Sequence, residues 1–492
     1  MAFESGESFR SDATVIPVNF AAMFVTFGFM IFVASEYLLE AGHLALLVVA
    51  IAAALAASVF YPVRWWKLTT YRVGETGVEV KRETWFRLDK IIPYGKIASV
   101  NLTRGLPNRI LGTSNVVINA NAGPSAVVPE ATIWLKAADA ERLKEIINAR
   151  MTGPGKEPVF EEAEFVSLVN FTAKDSVIQG VFGQPSAAMF GTLLSIALAL
   201  FFAFFDREGL TITFVILAVS FAIPAVVNIV KYYDFRVRRV GDTIHIRHGA
   251  IWNYSSSFET VKVNAIRVKK PLLARLIGKS SIEAEVIGVT QEKGERPLLC
   301  LMVKDEVLPH VISELIPEFS ENVDLKKQPK EARYPLLAGA AIRSIVTAAI
   351  LYPLLFFAID AASGEFEIPW LISDFGALGA VALTTLLHFF WMDRRMRIEA
   401  LALGDETMTV VRGVVDRERV TMMYDRVQIV EAVSDPFSRP FGLSRCSFSL
   451  LSSVGATNER TGYFETDVLE GIGDTLVERI RSGKRSYSYK SF

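Results

Sequence analysis

Four cations near the middle of the chain, Arg267, Lys269, Lys270 and Arg275, have the types and spacing best suited to binding an anion. They lie in segment 231–279, which carries eleven basic residues and three acidic ones. Beside an anionic membrane leaflet each cation contributes about 1 kcal/mol. The group is therefore a candidate contact for lipid phosphates or for a partner protein. The competing interpretation is that these side chains are only solvated.

The basic surplus is not uniform along the chain. Segment 64–112 carries ten basic and four acidic residues, whereas segment 394–442 carries eight of each. Nucleic acid is a poor candidate for the anion, because aromatic residues are not interleaved with the basic run.

A second pattern places an arginine three residues before a glycine. It occurs as Arg109 and Gly112, Arg275 and Gly278, and Arg439 and Gly442. The glycine indicates a turn with positive φ, which a residue with a Cβ resists. The arginine either caps the preceding turn or points to a phosphate. Because Arg439 persists in the segment without a basic surplus, we expect a structural role for the repeated turn.

Residue types used in catalysis and metal binding are sparse. Only His245 and His248 are neighbouring histidines, and on a strand their spacing points them to opposite faces. We therefore predict no metal site and no cofactor. The sequence also lacks a Gly-rich phosphate loop, a G-x-S-x-G elbow and an H-E-x-x-H motif, so we predict no enzyme. Cys300 and Cys446 are expected to be free thiols.

These residues belong to a chain with too little charge for an ordinary soluble protein. Of its 492 residues, 51% are hydrophobic and 21% are charged. Six apolar runs are long enough, or nearly so, to cross a hydrocarbon core of about 30 Å. They lie at 17–38, 44–61, 187–205, 210–230, 336–359 and 372–391. Short connections join them in pairs, which predicts three transmembrane helical hairpins.

Basic residues flank the hairpins on one side only. The tips contain a single basic residue, Arg207, whereas the other ends read RWWK, KYYDFRVRR and DRRMR. Basic flanks stay in the cytoplasm. We therefore expect a multi-pass protein of the cytoplasmic membrane, with both termini and the long polar segments in the cytoplasm.

The hairpins and polar segments form a threefold repeat. The glycines of the repeated turn are separated by nearly equal intervals, and each follows an upstream turn glycine, Gly74, Gly241 or Gly404, at a nearly constant distance along the chain. We divide the chain into 1–63 (N-terminal segment and hairpin 1), 64–150 (module 1), 151–186 (linker and interfacial segment), 187–230 (hairpin 2), 231–317 (module 2), 318–335 (linker), 336–393 (hairpin 3), 394–482 (module 3) and 483–492 (tail).

Each module combines strand patterns with one closing helix. Alternating segments such as GVEVKRE, TIHIRHG and TMTVVRG predict strands, and helical periodicity follows at the end of each module. The expected fold class is a membrane α + β protein with six transmembrane helices. In it, each hairpin precedes a small cytoplasmic β-barrel capped by a C-terminal helix.

The combination resembles the bacterial pleckstrin-homology-like (PH-like) membrane proteins, and the threefold version is similar to the YdbT-like family. The resemblance rests on the segments 70–73 (TYRV) and 97–100 (IASV), on the three R-x-x-G turns and on the repeated architecture. It implies a seven-stranded, partly open barrel and no established catalytic activity. It also implies a shorter partner with one hairpin and one module, and a link to envelope stress or tolerance of antibacterial compounds.

Two functions of different classes follow. The first is a non-enzymatic membrane scaffold whose three modules bind partner membrane proteins, the anionic inner leaflet, or both. The second is a transporter or channel for small solutes or ions, formed by the six helices. Pro224 and Pro353 interrupt two spans, which favours the second, whereas the spans lack charged pairs.

Overall fold

The structure is a computed structural model that describes residues 6–40, 44–85, 87–120, 129–152, 171–251, 253–287, 296–321, 323–363, 370–452 and 455–482. Its helices are α1 (Val15–Glu40), α2 (Leu44–Leu68), α3 (Leu106–Ile110), α4 (Ala137–Thr152), α5 (Ala173–Phe182), α6 (Ser186–Phe204), α7 (Glu208–Lys231), α8 (Leu272–Leu276), α9 (Leu308–Leu315), α10 (Arg333–Ser363), α11 (Trp370–Ile398) and α12 (Thr466–Arg481).

The strands of module 1 are β1 (Thr69–Val73), β2 (Gly77–Glu83), β3 (Arg87–Pro93), β4 (Ile97–Arg104), β5 (Thr113–Ala120) and β6 (Ala131–Lys136). Those of module 2 are β7 (Arg236–Val240), β8 (Thr243–His248), β9 (Asn253–Glu259), β10 (Val263–Lys270), β11 (Lys279–Val286) and β12 (Leu298–Lys304). After the short β13 (Lys326–Lys327), module 3 contains β14 (Ala400–Leu403), β15 (Thr407–Arg412), β16 (Arg417–Met423), β17 (Val427–Val433), β18 (Leu443–Ser452), β19 (Gly455–Arg460) and β20 (Phe464–Glu465).

Five of the described helices, α2, α6, α7, α10 and α11, are long and apolar enough to cross a membrane. In α1 the described apolar stretch, Val15–Gly28, is shorter. The expected count of six spans is therefore not confirmed. At most 11% of each spanning stretch is buried inside the protein, so its apolar surface requires lipid around it.

Within each module the chain forms two antiparallel sheets joined by a three-residue 3-10 turn. The turns are Tyr94–Lys96, Thr260–Lys262 and Tyr424–Arg426. Three strands precede each turn and at least three follow it, and the module's helix packs its apolar face on the core between the sheets. Successive side chains of a strand point to opposite faces of its sheet, and only one face meets this core. Every second residue of such a strand is therefore buried.

The C-terminal helices of modules 1 and 3 are fixed by the same arginine contact. Arg150 donates from Nη1 to the carbonyl of Gly74 and lies over the Tyr94 ring. Arg479 donates from Nη1 to the carbonyl of Asp405 at 3.0 Å and lies over the Tyr424 ring. A cation at a helix C-terminus is also favoured by the helix dipole. The repeat thus extends to how each helix is tied to the first turn of its module.

The two sheets of a module do not close into a barrel. Among the described strands, β3 does not pair with β4 and β9 does not pair with β10, although each pair is adjacent in sequence. The expected seven-stranded barrel is therefore not confirmed. The physical reason at β4, β9, β10 and β16 is that each pairs its edge with a strand of the neighbouring module.

Pairing across modules produces two antiparallel sheets, each with strands from two modules. One has six strands in the order β6-β5-β4-β9-β8-β7, so it joins modules 1 and 2. The other has seven in the order β12-β11-β10-β16-β15-β14-β13, so it joins modules 2 and 3. The three modules are consequently hydrogen-bonded into one array.

Candidate interaction site at the joints between modules

The two joints between modules use the same strands in the same register. At the first joint the Cα partners are Leu102 and Ser255, Thr103 and Tyr254, and Arg104 and Asn253. At the second they include Val268 and Arg419, Lys269 and Glu418, and Lys270 and Arg417. The residue numbers of β4 and β10 at the two joints differ by the interval between Gly112 and Gly278. Those of β9 and β16 differ by the interval between Gly278 and Gly442. The joint is therefore one interface used twice.

The arginine of the repeated turn reaches across each joint. Arg109 donates from Nη1 to the carbonyl of Ala250, and Arg275 donates from Nη1 to the carbonyl of Val415 at 3.1 Å. Both carbonyls lie in the turn between the second and third strands of the next module. The arginine thus clamps one module to the next, and the clamp continues the strand pairing.

The glycine of the turn makes this reach possible. Gly112, Gly278 and Gly442 have φ values of +68°, +62° and +65°, in the left-handed region. A Cβ at these positions would meet no atom within 4 Å, so the constraint is on the backbone alone. An L residue other than glycine costs about 1–2 kcal/mol there.

Arg267 lies in the interior of the second joint and not on the surface. It is 1% exposed, on β10, facing the core of module 3. Its guanidinium donates to Glu418 at 2.6 Å and also contacts Glu459, both in module 3. It contacts Glu285 of its own module at 2.9 Å. This placement removes Arg267 from the set of cations available to lipid and assigns it a contact between modules.

The carboxylates around Arg267 are balanced by further arginines. Arg296 contacts Glu285, and Arg412 contacts Glu418 at 3.0 Å and Glu459 at 2.9 Å. Three guanidinium groups therefore meet three carboxylates, five of the six residues on β10, β11, β15, β16 and β19 and Arg296 just before β12. Burial disfavours the charged form of Arg267, but the carboxylates outweigh it and raise its pKa. A buried charge of either sign needs such partners to remain ionised.

The corresponding position at the first joint is occupied by Asn101, which precedes the turn glycine of its module by the same interval as Arg267 does. Asn101 is buried and accepts a hydrogen bond at Oδ1 from Ser256 of module 2 at 3.2 Å. The two joints therefore share a backbone register but differ in chemistry, one neutral and one ionic. Different side-chain pairs at a common joint favour the correct order of modules.

The other three predicted cations have partners within the chain. Lys269 pairs with Glu283 at 2.8 Å, and Lys270 pairs with Asp305. Both lysines keep somewhat more than a quarter of the side chain exposed. Lys269, Lys270 and Arg275 thus each bind a group of this chain. Contact of their exposed parts with lipid stays a prediction.

A cavity of about 250 Å³ lies at the first joint. Arg109, Arg247, Asp234 and His248 are among the residues that line it. The turn of module 2 that contains Ala250 also bonds to the end of α7, because the Ala250 amide donates to the carbonyl of Val230 at 3.0 Å. The cavity is therefore close to the end of a spanning helix, with basic side chains on its wall.

Histidine and cysteine side chains have structural surroundings. His248 is buried, with Nδ1 2.7 Å from the carbonyl of Lys231, and its ring stacks on Phe235. Burial, aided by nearby cations, lowers the pKa of His245. Cys300 and Cys446 are free and buried. Within the described ranges no group of three His, Cys, Asp or Glu residues is arranged to hold a metal ion.

Sequence reasoning missed the acidic members of the ionic joint. Glu285 and Glu459 are fully buried, and Glu418 is partly buried. A signal was present, since "SIEAEVIGV" places two glutamates in an otherwise apolar strand. An isolated buried carboxylate is costly, so such a strand indicates a cationic partner. The identity of that cationic partner follows only from the pairing of strands between modules.

Comparisons with known proteins agree with the repeat. A family model described as a bacterial PH domain matches three times, at residues 23–151, 191–314 and 347–481. The chain is similar to the UPF0699 transmembrane protein YdbT of Bacillus subtilis (strain 168), with 20% identity over 421 residues that cover 79% of this chain and 80% of that protein. No solved structure gives a significant match.

Replacing Arg267 is predicted to weaken the second joint. Arg267→Met leaves Glu285 and Glu459 with only the partly exposed Arg296 and Arg412 as partners and should destabilise the protein by about 3 kcal/mol. Lys269→Met is the matched control, since Lys269 keeps 29% of its side chain exposed and an ion pair that reaches solvent is worth about 1 kcal/mol. Thermal unfolding of the detergent-solubilised chain measures both variants. Equal midpoints for the two variants would contradict the assignment.

The joint is also predicted to weaken in acid. Burial alone would raise the pKa of Glu418, but Arg267, Arg412 and Lys269 outweigh it and lower the pKa below the ordinary 4.5. A lowered pKa stabilises the fold above the ordinary value, and this contribution is lost as pH falls through the folded-state value. Wild type should therefore exceed Glu418→Gln in unfolding midpoint at pH 7, and the gap should shrink below pH 4.5. A gap independent of pH would count against it.

Proposed function

The chain belongs to the bacterial PH domain family, and on that premise we propose that it is a non-enzymatic, multi-pass membrane scaffold. Its three modules would form one array beside the membrane and bind partner membrane proteins. The observation that carries the proposal is the joint used twice in one register. A joint that can be repeated is a means of adding further modules. Neither bacterial PH domains nor YdbT-type transmembrane proteins are enzyme families.

The partner that fits this joint is another membrane protein with a PH-like module. A shorter relative with one hairpin and one such module would offer the same two strand edges. Backbone pairing supplies affinity in this mode of binding, and side chains on the paired strands supply specificity. Hairpins in one membrane also raise the effective concentration of the modules, so a weak joint suffices. A role in envelope stress or antibacterial tolerance is proposed only as the setting for such assembly.

The anionic inner leaflet is the second proposed contact. The basic surplus lies in modules 1 and 2, and the cavity lined by Arg109 and Arg247 lies near the end of α7. Cations near the end of a membrane-spanning helix are attracted to anionic lipid headgroups. Lipid would then orient the array, while the strand edges would select the partner.

The alternative of a transporter or channel has less support. In the described ranges, each spanning helix packs extensively against its hairpin partner and not against a spanning helix of another hairpin. Transported solutes normally cross between packed helices, often broken at matching positions. Pro224 and Pro353 lie inside continuous helices, where a membrane span tolerates them.

The proposed orientation predicts which introduced thiols react from outside the cell. Gly209→Cys, in the tip of the second hairpin, should react with an impermeant maleimide on intact cells, whereas Glu145→Cys, exposed on α4, should react only after lysis. Wild type is the control, because burial raises the pKa of the Cys300 and Cys446 thiols to about 12. Labelling of Glu145→Cys on intact cells would contradict the proposed orientation and indicate the opposite one.

Scaffold and channel differ in what the full-length protein does in a membrane. A photo-crosslinking residue at Ile429, on the exposed edge of β17, should join the chain to a membrane protein in cells. The same residue at Val477, exposed on α12, is the matched control. Reconstituted protein should leave solute leakage at the level of empty liposomes. Solute flux through the reconstituted protein, together with no cross-linked product from position 429, would contradict the scaffold proposal.

A further inference from the structure

Within the described part of the chain, two edges of the kind used in the joints remain unpaired after the three modules have joined. Among the described strands, β3 of module 1 pairs only with β2, and β17 of module 3 pairs only with β18. In the repeat, β3 corresponds to β9 and β16, whose edges accept the preceding module. By the same correspondence, β17 is equivalent to β4 and β10, whose edges bind the following module. The array therefore ends in one edge of each complementary kind.

Side chains at these edges are exposed where their equivalents in the joints are buried. Ile429 is 54% exposed, whereas the equivalent Ala265 is 0% and Ser99 is 4% exposed. Ile91 is 57% exposed, whereas the equivalent Thr421 is 7% exposed. Natural proteins rarely leave a strand edge with exposed aliphatic side chains uncovered, because it pairs with other chains. The two edges therefore carry the exposed aliphatic side chains expected of an interface between chains.

The repeat fixes which residues would face each other if these edges paired. Counted back from the repeated turn glycine of its own module, Glu431 occupies the position of Arg267. Counted forward from the upstream turn glycine of its own module, Lys90 occupies the position of Val420. Arg267 and Val420 are Cα partners at the second joint. Glu431 would therefore lie directly opposite Lys90.

Neighbouring positions in this register are complementary as well. Val430 would meet Ile91, because their equivalents Ile266 and Thr421 are paired at the second joint. By the same rule Val433 would meet Leu88. Opposite charges and aliphatic pairs across strands are both stabilising. The two free edges thus match in charge and in apolar character.

The arginine clamp is available for the same joint. Arg439 corresponds to Arg109 and Arg275, is exposed, and donates from Nε to Ser434 of its own module at 3.4 Å. The carbonyls it would meet in a following module are those at 84 and 85 of module 1. Trp85 is 85% exposed and lies beside Arg64 of α2, as the equivalent turn of module 2 lies beside the end of α7.

A third joint of this kind, between two copies of the chain, is compatible with the insertion of both copies in one membrane. The same geometry already links modules whose hairpins share one membrane. A further identical step between two copies therefore keeps all hairpins at the same level. The resulting contact is heterologous, because a β17 edge meets a β3 edge, so it generates a ring or an open row.

We propose that copies of this chain associate head to tail in the membrane, with the β17 edge of one copy paired antiparallel to the β3 edge of the next. The proposal rests on the proposed scaffold function and names a second copy as the partner. The choice of a second copy follows from charge complementarity at Glu431 and Lys90 and from continuity with the two existing joints.

The register is tested by cysteine cross-linking between two tagged forms of the full-length chain in nanodiscs. The joint places Ala432 opposite Asp89, as it places Val268 opposite Arg419. Ala432→Cys in one form and Asp89→Cys in the other should give a disulfide-linked dimer under mild oxidation. Gln428→Cys with Asp89→Cys is the out-of-register control. The native cysteines are buried and do not contribute. Equal yields from both combinations would overturn the register.

The charge pair is tested by reversal. Glu431→Lys places like charges opposite each other and should weaken self-association about three- to tenfold, measured by light scattering of the solubilised chain. Glu470→Lys makes the same charge change on the exposed face of α12 and should leave association unchanged. Mixing Glu431→Lys with Lys90→Glu should restore association between the two variants, because either contact between unlike variants again sets opposite charges against each other. Thermal unfolding of Lys90→Glu checks its fold, because Lys90 also pairs with Glu130.

The outcomes separate this proposal from the scaffold function. Association that depends on Glu431 and is restored by the mixed pair supports head-to-tail assembly. A chain that stays monomeric at all concentrations overturns it. If that monomer still cross-links from position 429 to a shorter PH-like protein, the scaffold function stands and the choice of a second copy is wrong.

Discussion

An antiparallel strand edge carries unpaired amide and carbonyl groups, and the organisation of this protein follows from how those edges are satisfied. Each module has two small sheets that do not close on each other, so it exposes two edges of different kinds. Pairing one kind with the other joins the modules in chain order. The array, the position of the hairpins beneath it and the two remaining edges all depend on that pairing.

Side chains refine what the backbone joint permits. Asn101 and Arg267 occupy one repeated position, yet the first makes a neutral hydrogen bond and the second enters a network of three arginines and three glutamates. Such a network adds little net stability compared with apolar packing, but an incorrect partner would leave a charge buried and unpaired. The joints therefore use a common geometry for attachment and local chemistry for selection. Glu431 continues this series with a third type of side chain.

The membrane and the joints constrain each other. The turn that receives the Arg109 clamp also bonds to the end of α7, and Asp416, in the corresponding turn of module 3, accepts a hydrogen bond from the Ser186 amide at the start of α6 at 3.0 Å. Both joints thus lie at the ends of the second hairpin. Because the spanning helices expose nearly all of their apolar surface, they require lipid around them, so both joints lie beside the ends of helices suited to cross a membrane.

The sequence by itself determined the membrane class and the threefold unit, because hydrophobic runs and repeat spacings are local properties of the chain. It also placed the glycines of the repeated turn, whose positive φ is a local backbone demand. Only the tertiary structure decided what the arginines contact. The basic neighbours of Arg267 in sequence predict a surface cation, whereas its carboxylate partners lie up to 192 residues away. Pairing between strands of different modules has no signature within either strand, so the open barrels, the joints and their free edges could not be read from sequence alone.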